Sequence, residues 1–407
     1  MKIIHTSDWH LGDKLHGWDR ADEEEHFFKQ LAAAVAREQP DALLVCGDIF
    51  DTGTPGNDVA KKFIDALLDV AAACPSMVTV VIAGNHDSYS RLVVDEQLWK
   101  RCRVHVFGLP AEDGDGKALF AANVVEIPDK GLIAAVPFCH ERNFPAVEGG
   151  ENVARIHAYF AGMAEYMNQR RGATSLPCVL MAHLAVGKET DFTGQDKMLA
   201  IGGQECVEAS ALGAGYNYIA LGHIHCPQWI KGEQQIARYS GTPRPINFDE
   251  VYAHGIDIVE VESGKAPTLR TEELPPLRAV ATLGGKTGAP FEDCLKLIGE
   301  SDLAAETYIR LNVALADGAA VGPDWTERAR AACVARNFRY CAINPIRAES
   351  AAKSAAGKQM LSVSELKGLS SEQVVEILSA RRSLSPRQRE LLADVMDEVS
   401  APTALRA

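Results

Sequence analysis

The amino-terminal part of the sequence alternates short apolar runs with helical patterns, and this alternation restricts the possible folds more than any other feature. The segments KIIHTSD (2–8), ALLVCGD (42–48) and MVTVVIAGNHD (77–87) each contain a short apolar run, and amphipathic helical patterns over 22–37 and 57–73 separate them. A repeat of this kind favours neighbouring strands of one sheet joined by right-handed crossovers. Further strands are expected at residues 104–108, 132–138, 178–184, 218–225, 237–242 and 254–262. We therefore predict an α/β fold.

The chain is long enough for more than one domain, because 407 residues exceed the length of an ordinary domain, about 100–200 residues. Turn-forming residues, including three prolines, mark a candidate linker over 263–276. Residues 277–350 have a strand–helix–strand–helix–strand pattern. A run of small residues then precedes two short helices with candidate capping boxes. We predict domains at 1–262 and 277–350, followed by a linker and helical segment at 351–407.

Composition and charge limit the class of protein. Hydrophobic residues make up 47% of the chain, and no apolar run approaches the about 20 residues that span a bilayer. The start of the sequence lacks the pattern of a secretion signal, and the ten cysteines occur singly, so we expect a cytoplasmic protein with reduced thiols. The net charge of −14 disfavours long-range attraction of nucleic acid, although bound metal ions would add positive charge locally.

Residues of metal-binding types follow five of the predicted strands. Asp-x-His and His-x-His place two side chains on one face, because alternate residues of a strand point the same way. Glycines directly precede three of these residues, where the backbone leaves a strand in a tight turn. Carboxylate, imidazole and amide ligands without cysteine suit Mn²⁺, Fe²⁺ or Zn²⁺ in a non-structural site. The candidate ligands are Asp8, His10, Asp48, Asn85, His183, His223 and His225.

A single histidine at a strand end is usually a hydrogen-bonded structural residue, so each of these histidines alone is weak evidence for a metal. The same pattern in five separate segments is strong evidence. The remaining histidines are expected to be core, capping or surface residues.

The motifs D-x-H, G-D, G-N-H-D, H and G-H-I-H occur in this order, and together they resemble the signature of the calcineurin-like metallophosphoesterase family. The segments HTSDWHLG, GDIFDTGTP, AGNHDS, ALGHIH and YSGTPRPINFDE are similar to the break-repair nuclease subunits of that family. The resemblance extends over nearly the whole chain. It implies a β-sandwich core flanked by helices, a small α+β capping domain that binds DNA, and C-terminal helices that bind a partner.

The resemblance also implies roles for single residues. One metal ion would be held by Asp8, His10, Asp48 and His225, and a second by Asp48, Asn85, His183 and His223. His86 would contact the scissile phosphate and stabilise or protonate the leaving oxygen, with Asp87 as the residue that orients it. Archaeal relatives have a second catalytic histidine three residues after the bridging aspartate. This chain has Asp51 there, which cannot donate a proton when ionised.

The resemblance implies a Mn²⁺-dependent DNA nuclease of repair and recombination. It would degrade duplex ends 3′ to 5′, cut single strands and hairpins, form a homodimer and work with a coiled-coil ATPase of the SbcC type at the nucleoid. A phosphoesterase for small molecules or phosphoproteins is the alternative, because the active-site motif alone does not define the substrate. The second domain and the terminal helices favour the nuclease. The complete ligand set disfavours a metal-free scaffold.

Overall fold

The computed structural model describes residues 1–150, 153–172, 175–187, 190–191, 193, 206–230, 236–316 and 319–347. Residues 1–348 form one compact unit and residues 349–407 a second. The predicted linker and helical segment at 351–407 therefore lies outside the described residues. No helix in the described part of the chain combines the length and the apolar character of a membrane span.

Two six-stranded sheets form the centre of the first unit. The first sheet contains, from edge to edge, β14 (Thr268–Glu273), β13 (Gly255–Glu260), β1 (Lys2–Thr6), β4 (Ala42–Cys46), β5 (Val78–Ile82) and β6 (Val104–Phe107). The second contains β11 (Gln228–Trp229), β12 (Ala237–Tyr239), β10 (Tyr218–Gly222), β9 (Cys178–His183), β8 (Gly131–Val136) and β7 (Val124–Ile127). The strands at the centre of each sheet are parallel, whereas β13 runs antiparallel to β1.

The two sheets face each other across a core to which both contribute side chains, such as Leu44 and Val80 from the first and Met181 and Ala220 from the second. All residues of β4, β5, β9 and β10 are buried, as expected for parallel strands covered on both faces.

Helices cover the outer faces of the sandwich. On the first sheet lie α1 (Ala21–Glu38) and α2 (Asn57–Ala73), and on the second lies α5 (Arg155–Arg171). The predicted helices over 22–37 and 57–73 thus occur at nearly the expected positions. Two short helices, α3 (Tyr89–Leu92) and α4 (Glu96–Trp99), follow β5. The fold is the predicted α/β sandwich flanked by helices.

The first sheet continues beyond the boundary predicted at residue 262. Strand β14 pairs antiparallel with β13 inside the segment that we expected to be a linker. Its sequence, TLRTEE, is mostly polar and has no buried residue, because β14 is an edge strand that faces solvent. Gly264 and Pro267 lie in the connection between the two strands. The linker prediction therefore reflected a hairpin turn.

A smaller α+β layer follows the sandwich. Strands β15 (Val280–Leu283), β16 (Tyr308–Leu315) and β17 (Arg339–Arg347) form a parallel sheet, and α6 (Phe291–Glu300) and α7 (Trp325–Ala335) pack on it. The order of these elements is the one that the sequence predicts for the second domain.

Polar contacts join this second layer to the start of α1. The Tyr308 hydroxyl donates to Glu23 Oε1 at 2.5 Å, and Arg278 Nη1 lies 2.7 Å from Asp22 Oδ1. A small hairpin, β2 (Lys14–Leu15) and β3 (Trp18–Asp19), adds a hydrogen bond of 2.9 Å from Trp18 Nε1 to the Tyr340 carbonyl. This second layer is thus fixed next to the loop that carries Asp8 and His10.

Candidate metal centre

The seven predicted ligands lie together where the strands of both sheets end. The carboxyl ends of parallel strands meet at one edge of a sheet, and open α/β folds bind ligands there. Six of the seven residues are buried and the seventh, Asn85, is half-buried. They are Asp8 and His10 after β1, Asp48 after β4, Asn85 after β5, His183 at the end of β9, and His223 and His225 after β10.

Four of these residues have left-handed backbone conformations. The φ angle is 53° at Asp8, 45° at His10, 49° at Asp48 and 98° at His223. Such angles are unfavourable for residues with a Cβ atom and cost of order 1–3 kcal/mol, and they cluster at functional sites. Backbone hydrogen bonds of 3.0 Å from Asp8 N to Gly47 O and from His10 N to Asp48 O hold two of these turns against each other. The surrounding structure therefore imposes the turns.

One group of ligand atoms comes from Asp8, His10 and His225. These atoms lie within 4.8 Å of one another. Both ring nitrogens of His10 and Nε2 of His225 are buried and have no hydrogen-bond partner among the described residues. Buried polar atoms are normally satisfied, and a divalent cation would satisfy one ring nitrogen of each of these two histidines. The group therefore fits a metal ion.

A second group comes from Asp48, His183 and His223, again within 4.8 Å. His183 Nδ1 is 2.8 Å from the Cys46 carbonyl oxygen, to which it donates, so its lone pair is on Nε2. The Asn85 amide oxygen lies 3.0 Å from His183 Nε2 and 2.9 Å from His223 Nδ1. Four potential ligand atoms thus converge on one position.

Asp48 lies between the two groups. Its Oδ2 atom is 3.3 Å from His183 Nε2 and 3.8 Å from His10 Nε2, and its Oδ1 atom accepts a hydrogen bond of 2.8 Å from the backbone N–H of His86. Gly84 makes this placement possible, because a Cβ atom there would lie 2.2 Å from Asp48 Oδ1. Asp48 Oδ2 therefore lies near one histidine of each group.

The charges in this centre act strongly on its pKa values. Burial alone would lower the pKa of His10, but the neighbouring carboxylates of Asp51 and Asp48 raise it to about 9. Burial would likewise lower the pKa of His183, but Asp48 raises it to about 9. Burial and the charge of His183 lower the pKa of His223 to about 3. Burial would raise the pKa of Asp48, but the neighbouring histidines, His183 above all, hold it well below its usual range. The centre thus keeps an ionised carboxylate in its middle.

His86 lies beside His10, with 4.8 Å between the ring centroids. Its Nδ1 atom is 2.9 Å from the backbone carbonyl oxygen of Asp51. The expected orienting contact from Asp87 is therefore replaced by a backbone carbonyl. Donation from Nδ1 fixes the ring and leaves Nε2 for a substrate.

Asp87 has a different position from the one expected. Its carboxylate accepts hydrogen bonds from the backbone N–H groups of Ile49 at 3.1 Å, Phe50 at 2.9 Å and Gly84 at 2.8 Å. Burial and the nearby charge of Asp48 raise its pKa to about 6. Asp87 therefore holds together the loops after β4 and β5, which carry Asp48 and Asn85. It acts through the backbone of these loops.

Sequence reasoning missed two residues around the centre, Glu250 and Arg244. Glu250 Oε1 is 2.9 Å from His225 Nδ1, and Arg244 Nη2 donates to the His10 carbonyl oxygen at 3.2 Å. No spacing rule connects these two residues with the ligands, because the contacts depend on how the segment after β12 returns to the site. Asp51, which the family resemblance singled out, has its Oδ1 atom 3.5 Å from His10 Nδ1. Glu250 and Arg244 do lie in the segment YSGTPRPINFDE, which carries part of the family resemblance.

Comparisons with known proteins agree with this geometry. The family model of calcineurin-like phosphoesterases matches residues 1–227. The D subunit of the nuclease SbcCD from Rhodobacter capsulatus is 32% identical over 306 residues, which cover 72% of this chain and 74% of the relative. The proteins of the same name from Bacillus subtilis and Escherichia coli K12 are 32% identical over 279 residues and 29% identical over 309 residues. These alignments cover 66% and 70% of this chain, and 68% and 71% of the two relatives. The chain therefore belongs to the calcineurin-like phosphoesterase family, in the group of SbcD nuclease subunits.

Proposed function

We propose that this protein is a DNA nuclease that hydrolyses phosphodiester bonds with two divalent metal ions. The observation that carries the proposal is the pair of ligand groups with Asp48 between them. The buried nitrogens of His10 and His225 support a site built for cations. The name of the relatives supports a nuclease within the phosphoesterase family.

Mn²⁺ is the proposed metal, because carboxylate, imidazole and amide oxygen ligands suit this ion. Two such ions polarise the phosphate, activate water and stabilise both the attacking and the leaving oxygen of an in-line displacement. Asp8, His10, Asp48 and His225 would hold one ion, and Asp48, Asn85, His183 and His223 the other. The strained turns hold these side chains in place before any ion binds, which reduces the reorganisation that binding requires.

The proposed role of His86 is to donate a hydrogen bond or a proton to the phosphate or to the leaving oxygen. Because the Asp51 carbonyl accepts from Nδ1, a neutral ring has its lone pair on Nε2, and only the imidazolium, protonated on both nitrogens, would donate from Nε2. A positioned donor of this kind stabilises charge that develops in the transition state. Asp87 is then a positioning residue, because its carboxylate contacts backbone N–H groups rather than the His86 ring.

The proposed substrate is DNA, cut from duplex ends in the 3′ to 5′ direction and internally in single strands and hairpins. The test is to purify the full chain, load it with Mn²⁺ and compare four substrates at equal concentration: a labelled duplex, a hairpin, a cyclic nucleotide and a phosphoserine peptide. An Asp48→Asn variant, of nearly equal size, is the control for contaminating nucleases. Hydrolysis of the peptide or cyclic nucleotide with intact DNA would favour the alternative phosphoesterase and contradict the proposal.

We also propose a partner and a homodimer. The relatives are subunits of a complex named SbcCD, which supports a coiled-coil ATPase of the SbcC type as the partner of the segment 351–407 and a cytoplasmic, nucleoid-associated location. Exposed apolar side chains on α2 and near α4 support the homodimer. Leu68 is 45% exposed and Leu98 is 62% exposed. Phe63 and Trp99, buried neighbours in the two helices, place these helices side by side, with 6.4 Å between their rings.

A further inference from the structure

Glu250 is a buried carboxylate beside the proposed metal centre. Its side chain is fully shielded from solvent. Oε1 lies 2.9 Å from His225 Nδ1, and Oε2 accepts hydrogen bonds from the backbone N–H of Ile246 at 2.9 Å and from Thr242 Oγ1 at 3.4 Å. The basic side chains that come within 4 Å of it in the described part of the chain are histidines, His225 and, at 3.9 Å, His254. Neither carries a permanent charge.

The hydrogen bond to Glu250 determines which nitrogen of His225 can bind a metal. An ionised carboxylate only accepts, so the shared proton is on Nδ1 of the imidazole. The lone pair is therefore on Nε2, the buried nitrogen that has no hydrogen-bond partner among the described residues. His225 belongs to the same group of potential ligands as Asp8 and His10.

The two proposed metal positions differ in the group that accepts the hydrogen bond from the histidine Nδ1. His183, in the second group, donates from Nδ1 to the neutral carbonyl of Cys46 at 2.8 Å. A carboxylate partner increases the basicity of a metal-binding imidazole, and removal of such a partner typically costs 10- to 100-fold in metal affinity. In the first group, His225 donates to a carboxylate, whereas in the second group His183 donates to a peptide carbonyl.

We propose that Glu250 is a positioning residue that fixes the metal-binding tautomer of His225 and makes the position at Asp8, His10 and His225 the tighter of the two metal sites. This inference rests on the proposed two-metal function. It adds an order of occupancy, in which the first cation binds at His225 and the second at His183.

The test is a calorimetric titration of the metal-free, full-length protein with Mn²⁺, together with electron paramagnetic resonance to count bound ions. The wild type should bind two ions in a tight and a weaker event. Glu250→Gln keeps the size and an acceptor oxygen but removes the charge, and it should weaken the tight event by about 10- to 100-fold and leave the weaker event unchanged. His225→Ala should remove the same event. Glu260→Gln, an exposed carboxylate of β13, is the matched control and should bind as the wild type does.

Thermal unfolding in EDTA separates this role from a merely structural one. Glu250→Gln places an NH2 group where Oε2 accepts from the Ile246 N–H, so the variant should unfold at a lower temperature in EDTA whatever its role towards the metal. The informative quantity is the rise in unfolding temperature when Mn²⁺ is added, which should be smaller in the variant than in the wild type. An equal rise in both proteins would assign Glu250 to the structure alone and overturn the inference, as would two unchanged binding events or a loss confined to the weaker event. Glu250→Asp, which keeps the charge, repeats the test if the glutamine variant does not fold. A wild type that binds no Mn²⁺ would instead refute the proposed function.

Discussion

At the residue scale, Asp48 is the side chain on which the two ligand groups depend together. We expect Asp48→Ala to abolish hydrolysis and to reduce metal stoichiometry more than the loss of any other ligand, because both cations would lose an anionic ligand while they remain close to each other. Calorimetric titration with Mn²⁺ and elemental analysis measure this. Asp65→Ala, an exposed aspartate of α2, is the control. Full binding of two ions by Asp48→Ala would disprove the bridge.

His86 has a separate proposed role. It belongs to neither of the two ligand groups, and it lies with His10 and Asp51 in a third cluster of potential ligand atoms within 4.8 Å of one another. We expect His86→Ala to keep both metal ions and DNA binding but to lower the single-turnover rate by roughly 10²–10³-fold, the usual effect of losing one transition-state donor. The rate is measured on a labelled duplex, with metal content determined on the same sample. A variant that has lost one equivalent of metal would show that His86 is a ligand.

His5 makes the stability of the fold sensitive to acid. Burial and, to a smaller extent, the charge of Arg238 lower its pKa to about 3, and its ring bonds to the Tyr218 hydroxyl at 2.8 Å. In the unfolded chain the histidine binds a proton near pH 6.5, whereas in the folded chain it stays neutral. The unfolded state therefore gains protons first, and stability falls as the pH drops from about 6.5 towards 3.

A comparison of two variants isolates this effect. Between pH 7.5 and pH 5.0 the wild type should lose about 2 kcal/mol more unfolding free energy than His5→Gln, which has no titrating group at this position. Urea denaturation at both pH values measures the difference. Equal losses in the two proteins would show that His5 does not control the acid response.

The sequence predicted that the proposed ligand residues lie together, because each follows an apolar strand, and the ends of these strands in both sheets meet in space. Glu250 and Asp51 could not be identified in this way. Their contacts depend on the paths of loops, which no local pattern encodes. Asp87 shows that adjacency in sequence does not guarantee a contact. It follows His86 directly, but its carboxylate accepts from backbone N–H groups.

At the scale of the elements, regular hydrophobic patterns predicted the positions of α1 and α2 and of the buried strands. The pattern was insufficient for β14, because an exposed edge strand buries too few side chains to show alternation. The pattern also does not determine the direction of β12. β12 is parallel to β10 and antiparallel only to the two-residue strand β11. Strand direction depends on the connection rather than on the composition of the strand.

The exposed apolar side chains on α2 and near α4 define the surface on which the proposed homodimer can be tested. We expect Leu68→Lys and Leu98→Lys each to weaken dimerisation at least about 10-fold, since a lysine in an apolar interface would have to be desolvated. Sedimentation velocity over a range of concentrations measures this. Leu297→Lys, an exposed leucine of α6, is the matched control. Unchanged association of both variants would exclude this surface.

At the scale of the whole molecule, an acidic chain requires a source of attraction for DNA. Two divalent ions offset only part of the net charge of −14, so the proposed ATPase partner would supply basic surface. The segment 351–407 is the proposed docking element, because the apolar residues Val374, Ile377 and Leu378 recur at helical spacing in its first predicted helix.

Truncation after Gly357 tests this assignment. The shortened protein should keep Mn²⁺-dependent cleavage of short single strands, because all proposed ligands remain, and should lose at least about 100-fold in affinity for the ATPase. Co-purification and a binding titration measure the loss, with the full-length chain as reference. Unchanged affinity would show instead that the terminal helices pack on the capping domain.

The pairing of β1 has a consequence for synthesis on the ribosome. This central strand is synthesised long before its antiparallel partner β13, which begins at Gly255. At about 5–20 residues per second, β13 is synthesised tens of seconds after β1. His225 is synthesised almost as long after Asp8 and His10. The metal centre is thus completed only when most of the chain has been made, which prevents an unfinished chain from acquiring nuclease activity.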